Sequence, residues 1–438
     1  MDPVLISVLG IIGMFALILL HVPIGVAMAA AGAIGFGVLQ AHWKPAVSIF
    51  ATELSGVISS PELAVVPLFL LMGSFAGVSG LSADIYRLAY AFIGHRKGGL
   101  AYATIGGCAG FGAVCGSSVA TAATMGRVAL PEMISRGYSP RLASGSVAAG
   151  GTLGMLLPPS VIMVIYAFIT EKFIITLFVA ALVPALLALL GHFLAIWIQV
   201  ARNPEIGPAG EKTSWLERWQ VLRKSWGVMF LLGAVIGGIY GGVFTVVEAA
   251  ALGAGLSFLF TVARGKMNWA TLGQVLKETA AASSMLYVMV TGASIFSFFI
   301  SASKMPVFLV ENIQALELSP IFVVYAVVIV YLILGSIFDS IAAMLITLPF
   351  VFPLIIGMGY DAYWWGVILV MVMEIGLITP PIGMNVFVIF GVADNIPLKT
   401  IFSGIFPFFY ADIVRINILI WFPVISLWLP RALGMNLN

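Results

Sequence analysis

Two clusters of oxygen-bearing side chains stand out from an otherwise apolar sequence. "GAVCGSSVATAATMG", Gly112 to Gly126, gathers Ser117, Ser118, Thr121 and Thr124 without a charge. "GSIFDSIAAMLITLP", Gly335 to Pro349, holds Asp339 with Ser336 and Ser340. Two further stretches pair prolines inside apolar runs: "GTLGMLLPPSVIM" (Gly151 to Met163) and "EIGLITPPIGMNV" (Glu374 to Val386). Proline lacks the N–H a helix needs and clashes with the preceding turn, so each pair breaks a helix and frees carbonyls. Hydroxyls, a carboxylate and free carbonyls are hard oxygen ligands of the kind that bind Na⁺. The plain alternative for the hydroxyls is bonding back to the preceding helical turn.

A carboxylate at membrane depth is costly unless paired or hydrated, which makes Asp339 a candidate ligand or organiser of a cation site. Glu248, in "GGVFTVVEAAALG", reads as a second intramembrane acid or as the partner of a distant arginine. Proton coupling would need a titrating acid facing the substrate, and only these two qualify; the uncharged first cluster favours sodium there. Glu374 heads the second broken stretch and would cap its polar surroundings. Asp412 and Arg415, at i and i+3, pair with each other.

Other chemistries are disfavoured. The four histidines form no HExxH-type spacing, so no transition metal is expected. Cys108 and Cys115 read as small packing residues rather than a disulfide framework. The sequence has no GxxxxGK[ST] loop, and no His–Ser or paired-Asp arrangement marks an intramembrane enzyme. A net charge of +2 gives no argument for nucleic acid.

The elements that position these clusters follow from composition. Hydrophobic residues make up 61% of the chain and charged residues 9%, too few charges to cover a soluble domain of this size. Long apolar runs of bilayer-spanning length make this an all-α polytopic membrane protein; a β-barrel would show short alternating segments instead. No Lys or Arg precedes Lys44, so the first run lacks a basic n-region and reads as a retained span.

A shift of about 222 residues brings Pro158-Pro159 onto Pro380-Pro381, Gly154 onto Gly376, Pro131 onto Pro353 and Ser117-Ser118 onto Asp339-Ser340. "GVAMAAAGA" falls on "VEAAALGAG" in the same register. Weak internal symmetry of this kind marks duplicated secondary transporters. Charge supplies orientation, because Lys and Arg favour cytoplasmic loops. Arg96, Lys97, Arg136 and Arg141 flank the segment 98–134, making it a hairpin entered from the cytoplasm. Its counterpart, 320–356, has acidic flanks and enters from the opposite face.

The expected organisation is therefore a first inverted repeat over 1–201, a cytoplasmic linker with an amphipathic helix over 202–226, and a second repeat over 227–438. Broken helices span 141–170 and 362–391. Spans lie near 4–20, 24–41, 62–80 and 173–200, mirrored near 227–243, 246–263, 284–302 and 402–429. Amphipathic helices at 45–60 and 268–282 lie at the membrane interface.

Irregular backbone survives in a membrane only inside protein or beside water. Two opposed hairpin tips facing two broken helices thus define a wet cavity near mid-bilayer, where half-helix N-termini attract anions and free carbonyls hold cations. This arrangement suits alternating access better than a channel.

Through "GSSVATAATMG", "GGTLGMLLPPS", "GGIYGGVFTVVEAAA", "DSIAAMLITLPFVFP" and "EIGLITPPIGMNVFV", effectively its whole length, the chain resembles the large membrane (permease) subunit of tripartite ATP-independent periplasmic (TRAP) transporters. The resemblance implies an inverted-repeat, elevator-type carrier of the bacterial inner membrane performing sodium symport of a small organic anion. A C4-dicarboxylate or related carboxylate or sulfonate is the expected substrate. Implied partners are a small four-helix membrane subunit, not fused at this N-terminus, and a periplasmic substrate-binding protein. Both termini would be periplasmic.

Carried over by residue, one sodium site would involve Ser117, Ser118, Gly151, Gly154 and Pro158. The second would involve Asp339, Gly376, Thr379 and Pro380. Thr121, Ser160, Ser340 and Asn385 would face substrate. Thr121 stands where some sialic-acid carriers place an acid, which weakens that alternative. Val246-Val247 replaces the usual Pro-Thr before the acid of the "TEAAA" stretch. The remaining alternative is a stand-alone ion-coupled anion carrier.

Overall fold

The computed structural model describes residues 2–393 and 395–437. The first repeat runs through α1 (Pro3–Leu19), α2 (Ile24–Gln40), α3 (Trp43–Ser59), α4 (Val65–Ser79), α5 (Leu81–Ile93), α6 (Gly99–Cys115), α7 (Ser118–Ser135), α8 (Pro140–Leu156), α9 (Val161–Ile169) and α10 (Ile174–Arg202). A linker carries the amphipathic α11 (Trp215–Lys224), opened by a reciprocal Ser214–Glu217 capping box and ending on Arg223 and Lys224. The second repeat follows as α12 (Trp226–Tyr240), α13 (Val246–Ala263), α14 (Trp269–Ala302), α15 (Met305–Ala315), α16 (Pro320–Ile337), α17 (Ser340–Gly357), α18 (Ala362–Gly376), α19 (Met384–Val392), α20 (Leu398–Trp421) and α21 (Val424–Ala432). No strand occurs among the described residues. Among the described residues, seven helices are long and apolar enough to cross a membrane, or up to nine if each bent pair counts as one span.

The 222-residue register holds at the level of helices. α1 and α2 correspond to α12 and α13, the α6–α7 hairpin to α16–α17, the α8–α9 broken pair to α18–α19, and α10 to α20. Packing follows the same correspondence. α2 lies on α14 while α13 lies on α4, and α8 lies on α20 while α18 lies on α10. The repeats are thus interleaved rather than adjacent. Small residues bring these backbones together, as expected where lipid offers no hydrophobic drive between helices. A Cβ on Gly292 would meet the Gly25 carbonyl oxygen at 2.0 Å, and one on Gly32 would meet the Phe296 backbone at 2.8 Å.

Three elements depart from the sequence expectation. The segment 268–282 is not a separate interfacial helix; it is the first part of the 34-residue α14. In the first repeat Pro61 separates α3 from α4, whereas the equivalent Ser283 lets helical hydrogen bonding continue. The span at 62–80 turns through 68° at Gly80, whose φ of +84° suits glycine, and continues as α5. Arg264 secures that corner by pairing with Asp84 and donating to the Ser79 carbonyl at 3.2 Å. The last span divides before Pro423 into α20 and α21.

Candidate functional site

Each hairpin tip is a helix N-terminus with its own cap. Ser117 takes an extended conformation, and its hydroxyl accepts from Ala120 N at 3.4 Å, opening α7. At the equivalent place Asp339 Oδ1 accepts from Ile341 N at 3.1 Å and Ala342 N at 3.3 Å, opening α17. A short polar acceptor here satisfies N–H groups the helix cannot. Gly116, with φ +64°, makes the first tip turn.

Each break follows from its proline pair. Pro158 and Pro159 remove the donors that Gly154 O and Met155 O would have in a continuous helix. Met155 O is re-satisfied by the Ser160 hydroxyl. In the second break Leu377 O occupies the equivalent position and accepts from Asn385 N at 3.0 Å. Gly376 O accepts from Thr379 N, while the Thr379 hydroxyl donates back to Ile375 O at 2.7 Å. Both Pro–Pro bonds are cis.

The first tip and first break meet. A Cβ on Gly112 would lie 2.4 Å from Gly154 Cα, and one on Gly154 would lie 3.0 Å from Thr121 Oγ1 and 3.3 Å from Ser117 O. One on Gly151 would touch Ala122, and one on Gly116 would meet Pro159 O at 3.1 Å. Ser117, Ser118, Thr121, Gly151, Gly154 and Pro158 therefore form one compact group, with Ser118, Pro158, Pro159 and Ser160 buried. The second repeat repeats the approach: a Cβ on Gly376 would lie 2.6 Å from Gly335 C, and Gly383 N donates to Ser336 O at 3.3 Å. Here Pro380 and Pro381 are exposed and Asp339 is half-buried.

Asn385 joins the two halves. Its side-chain amide, just beyond the second break, donates to Ser118 Oγ at 2.7 Å and Ala148 O at 3.2 Å in the first repeat. Its Oδ1 is buried without a hydrogen-bond partner, as are the hydroxyls of Thr121 and Ser340. Asn385 and Thr121 thus belong with the first tip. Ser160 is committed to Met155 O, and Asp339 and Ser340 make no hydrogen bond to that group.

Two sequence expectations are corrected. Glu248 is exposed and, among the described residues, pairs with no arginine; it forms a capping box with Thr245, its Oε2 accepting from Thr245 N at 2.8 Å. It lines a cleft of about 1170 Å³ with Glu53, Glu62, Glu171 and Lys172, between α3 and α14 on one side and the α9–α10 junction on the other. No tip residue lines that cleft. Glu374 does not merely cap a break. It is fully buried and pairs with Arg415 Nη2 at 3.2 Å.

The Asp412–Arg415 pair is present at 3.0 Å, but it belongs to a larger cluster. His192 Nε2 lies 3.1 Å from both Asp412 oxygens. The signal for it was available: an acid inside an apolar helix requires a cation, and Arg415 stands inside α20.

The matched family model is described as "Tripartite ATP-independent periplasmic transporter, DctM component" and spans residues 11–425. The C4-dicarboxylate TRAP transporter large permease protein DctM of Pseudomonas aeruginosa is 36% identical over 85% of this chain and 87% of its own. The isethionate TRAP transporter permease protein DctMQ of Oleidesulfovibrio alaskensis is 32% identical, over 88% of this chain and 60% of its own. Among solved structures the YdaH transporter of Alcanivorax borkumensis superposes with a TM-score of 0.63 at 14% identity, covering all of both chains, which supports the fold alone.

Proposed function

The chain belongs to the TRAP transporter family as its large membrane component, and from that premise we propose that it performs sodium-driven uptake of a small organic anion. The observation that carries this reading is the meeting of oxygen-rich tip and broken helix, centred on Gly112–Gly154, with Asn385 bridging the repeats. Sodium occupies the Ser117–Ser118 tip beside the Gly151–Pro158 break and, in the second repeat, the Asp339 tip beside the Gly376–Pro380 break. Four half-helices, α7, α9, α17 and α19, begin at these positions, and their N-terminal dipoles favour an anionic group. The relative at 36% identity, named for C4-dicarboxylates, makes that class the first substrate to try.

The protein sits in the bacterial inner membrane, with the basic linker in the cytoplasm and both termini outside. A soluble binding protein delivers the substrate, and a small membrane subunit braces the frame. The cleft carries four glutamates and one lysine, so its field concentrates sodium and repels a free dianion. Handover from a docked binding protein suits such an entrance better than capture from solution. Transport proceeds by an elevator motion of the hairpins and broken helices against the outer helices. Proteoliposomes holding the complex and its binding protein test the reading: C4-dicarboxylate uptake requires an inward sodium gradient, and uptake indifferent to sodium overturns it.

A further inference from the structure

The ion cluster formed by Glu374, Arg415, Asp412 and His192 has no place in the transport reading above. All four side chains are buried, with Arg415 only 3% exposed. Arg415 donates to Glu374 on α18 and pairs with Asp412 on its own helix, and Asp412 in turn holds His192 on α10. Such a group is costly inside a membrane, and the fold does not demand it. The positions equivalent to Asp412, Arg415 and His192 are Leu190, Phe193 and Val414, all apolar.

Its location explains the expense. Glu374 and Thr152 are equivalent positions in the two repeats, both fully buried, and the helices that carry them, α18 and α8, pack against each other. Asp412, which faces His192, is two residues from the position equivalent to it. Two equivalent helices of twofold-related modules can meet only near the axis that relates them. The cluster therefore sits where the broken helices α8 and α18 cross, one half-turn behind Gly154 and Gly376. A helix interrupted by two prolines has lost the hydrogen bonds that would fix the angle of its halves. Packing of small residues alone leaves that angle loosely set, whereas charge-assisted hydrogen bonds are directional.

We propose that Arg415, through Glu374 and Asp412, is a positioning residue that fixes the two helix breaks relative to each other and so holds both hairpin tips at one spacing. The link to ion binding rests on the sodium reading above; the positional claim does not.

Spin labels at positions 119 and 341, one beside each tip, read the spacing directly. The variants are Arg415→Met, the charge-balanced Arg415→Met/Glu374→Met, and Arg415→Lys, which keeps the charge but loses the planar guanidinium. Melting temperature is measured in choline chloride, and sodium binding is followed by titrating NaCl into the full-length protein in nanodiscs. Arg415→Met strands a buried carboxylate and lowers the melting temperature. The double variant recovers most of that loss, yet its tip-to-tip distance distribution broadens and sodium half-saturation rises at least about tenfold, in line with the loss of one charge-assisted contact. A wild-type distance distribution at wild-type stability in the double variant overturns the proposal. If the double variant does not fold, Arg415→Lys decides: broadening supports the claim and an unchanged distribution ends it. Wild-type protein that binds no sodium ends the sodium reading alone, because the distance measurement still judges the positioning role.

Discussion

The two repeats share helix order and tip geometry but differ in what they enclose. The first tip is uncharged and capped by Ser117, and its break at Pro158-Pro159 is buried against glycine backbone. The second tip is capped by a carboxylate, and its break at Pro380-Pro381 is exposed. Their outer helices differ too: Pro61 divides the first repeat's α3 from α4, while Ser283 leaves α14 unbroken. A duplicated fold therefore holds two dissimilar tip-and-break groups: both pack backbone on backbone, but the first is uncharged and buried while the second carries a carboxylate and is exposed at its prolines. What duplication conserves is the cap and the break; what it frees is the chemistry around them.

Substitutions that push one repeat toward the other test this contrast. Ser283→Pro imposes the first repeat's interruption on α14 and is expected to cost about 3 kcal/mol, seen as a lower melting temperature and poor insertion. Gly112→Val forces a side chain into the Gly154 backbone and Gly376→Val forces one into the Gly335 backbone, so each should cost about 1–3 kcal/mol and end uptake; a tolerated Gly376→Val would show the second break to be the looser one. Asp339→Asn keeps a good N-cap, so folding is retained, while uptake should fall about tenfold and lose sodium dependence, a change of about 1.4 kcal/mol in the rate barrier. Ser160→Ala removes the donor to Met155 O and should lower stability by about 1 kcal/mol, measured by thermal melting. Glu248→Gln preserves the capping box and should leave uptake within about twofold of wild type; a large loss would return that residue to the transport site.

Much of the architecture was legible because proline and charge act locally. The Pro-Pro pairs place the breaks, and Arg96 and Arg136 bracket a hairpin, whereas the turn at Gly80 had no reading in the sequence. What escaped depends on neighbours far along the chain. Nothing near residue 268 announces that α14 runs on without a joint, since the decisive fact is a serine where the other repeat has proline. Glu248 looked membrane-embedded because its surroundings are apolar, yet Thr245, three residues earlier, completes a capping box that makes it a helix terminus. His192 and Asp412 lie 220 residues apart, and no local pattern joins a lone histidine to a distant acid. Asn385 could be singled out as polar, but not as a donor reaching into the opposite repeat.

The glycine seams have a mechanical consequence. Where the main chains of α2 and α14 touch at Gly25 and Gly292, neither helix can creep past the other by a fraction of a turn. The next notch along an α-helix is about 5.4 Å away. On the proposed elevator mechanism, α2 and α14 would therefore stay together as one unit of fixed spacing.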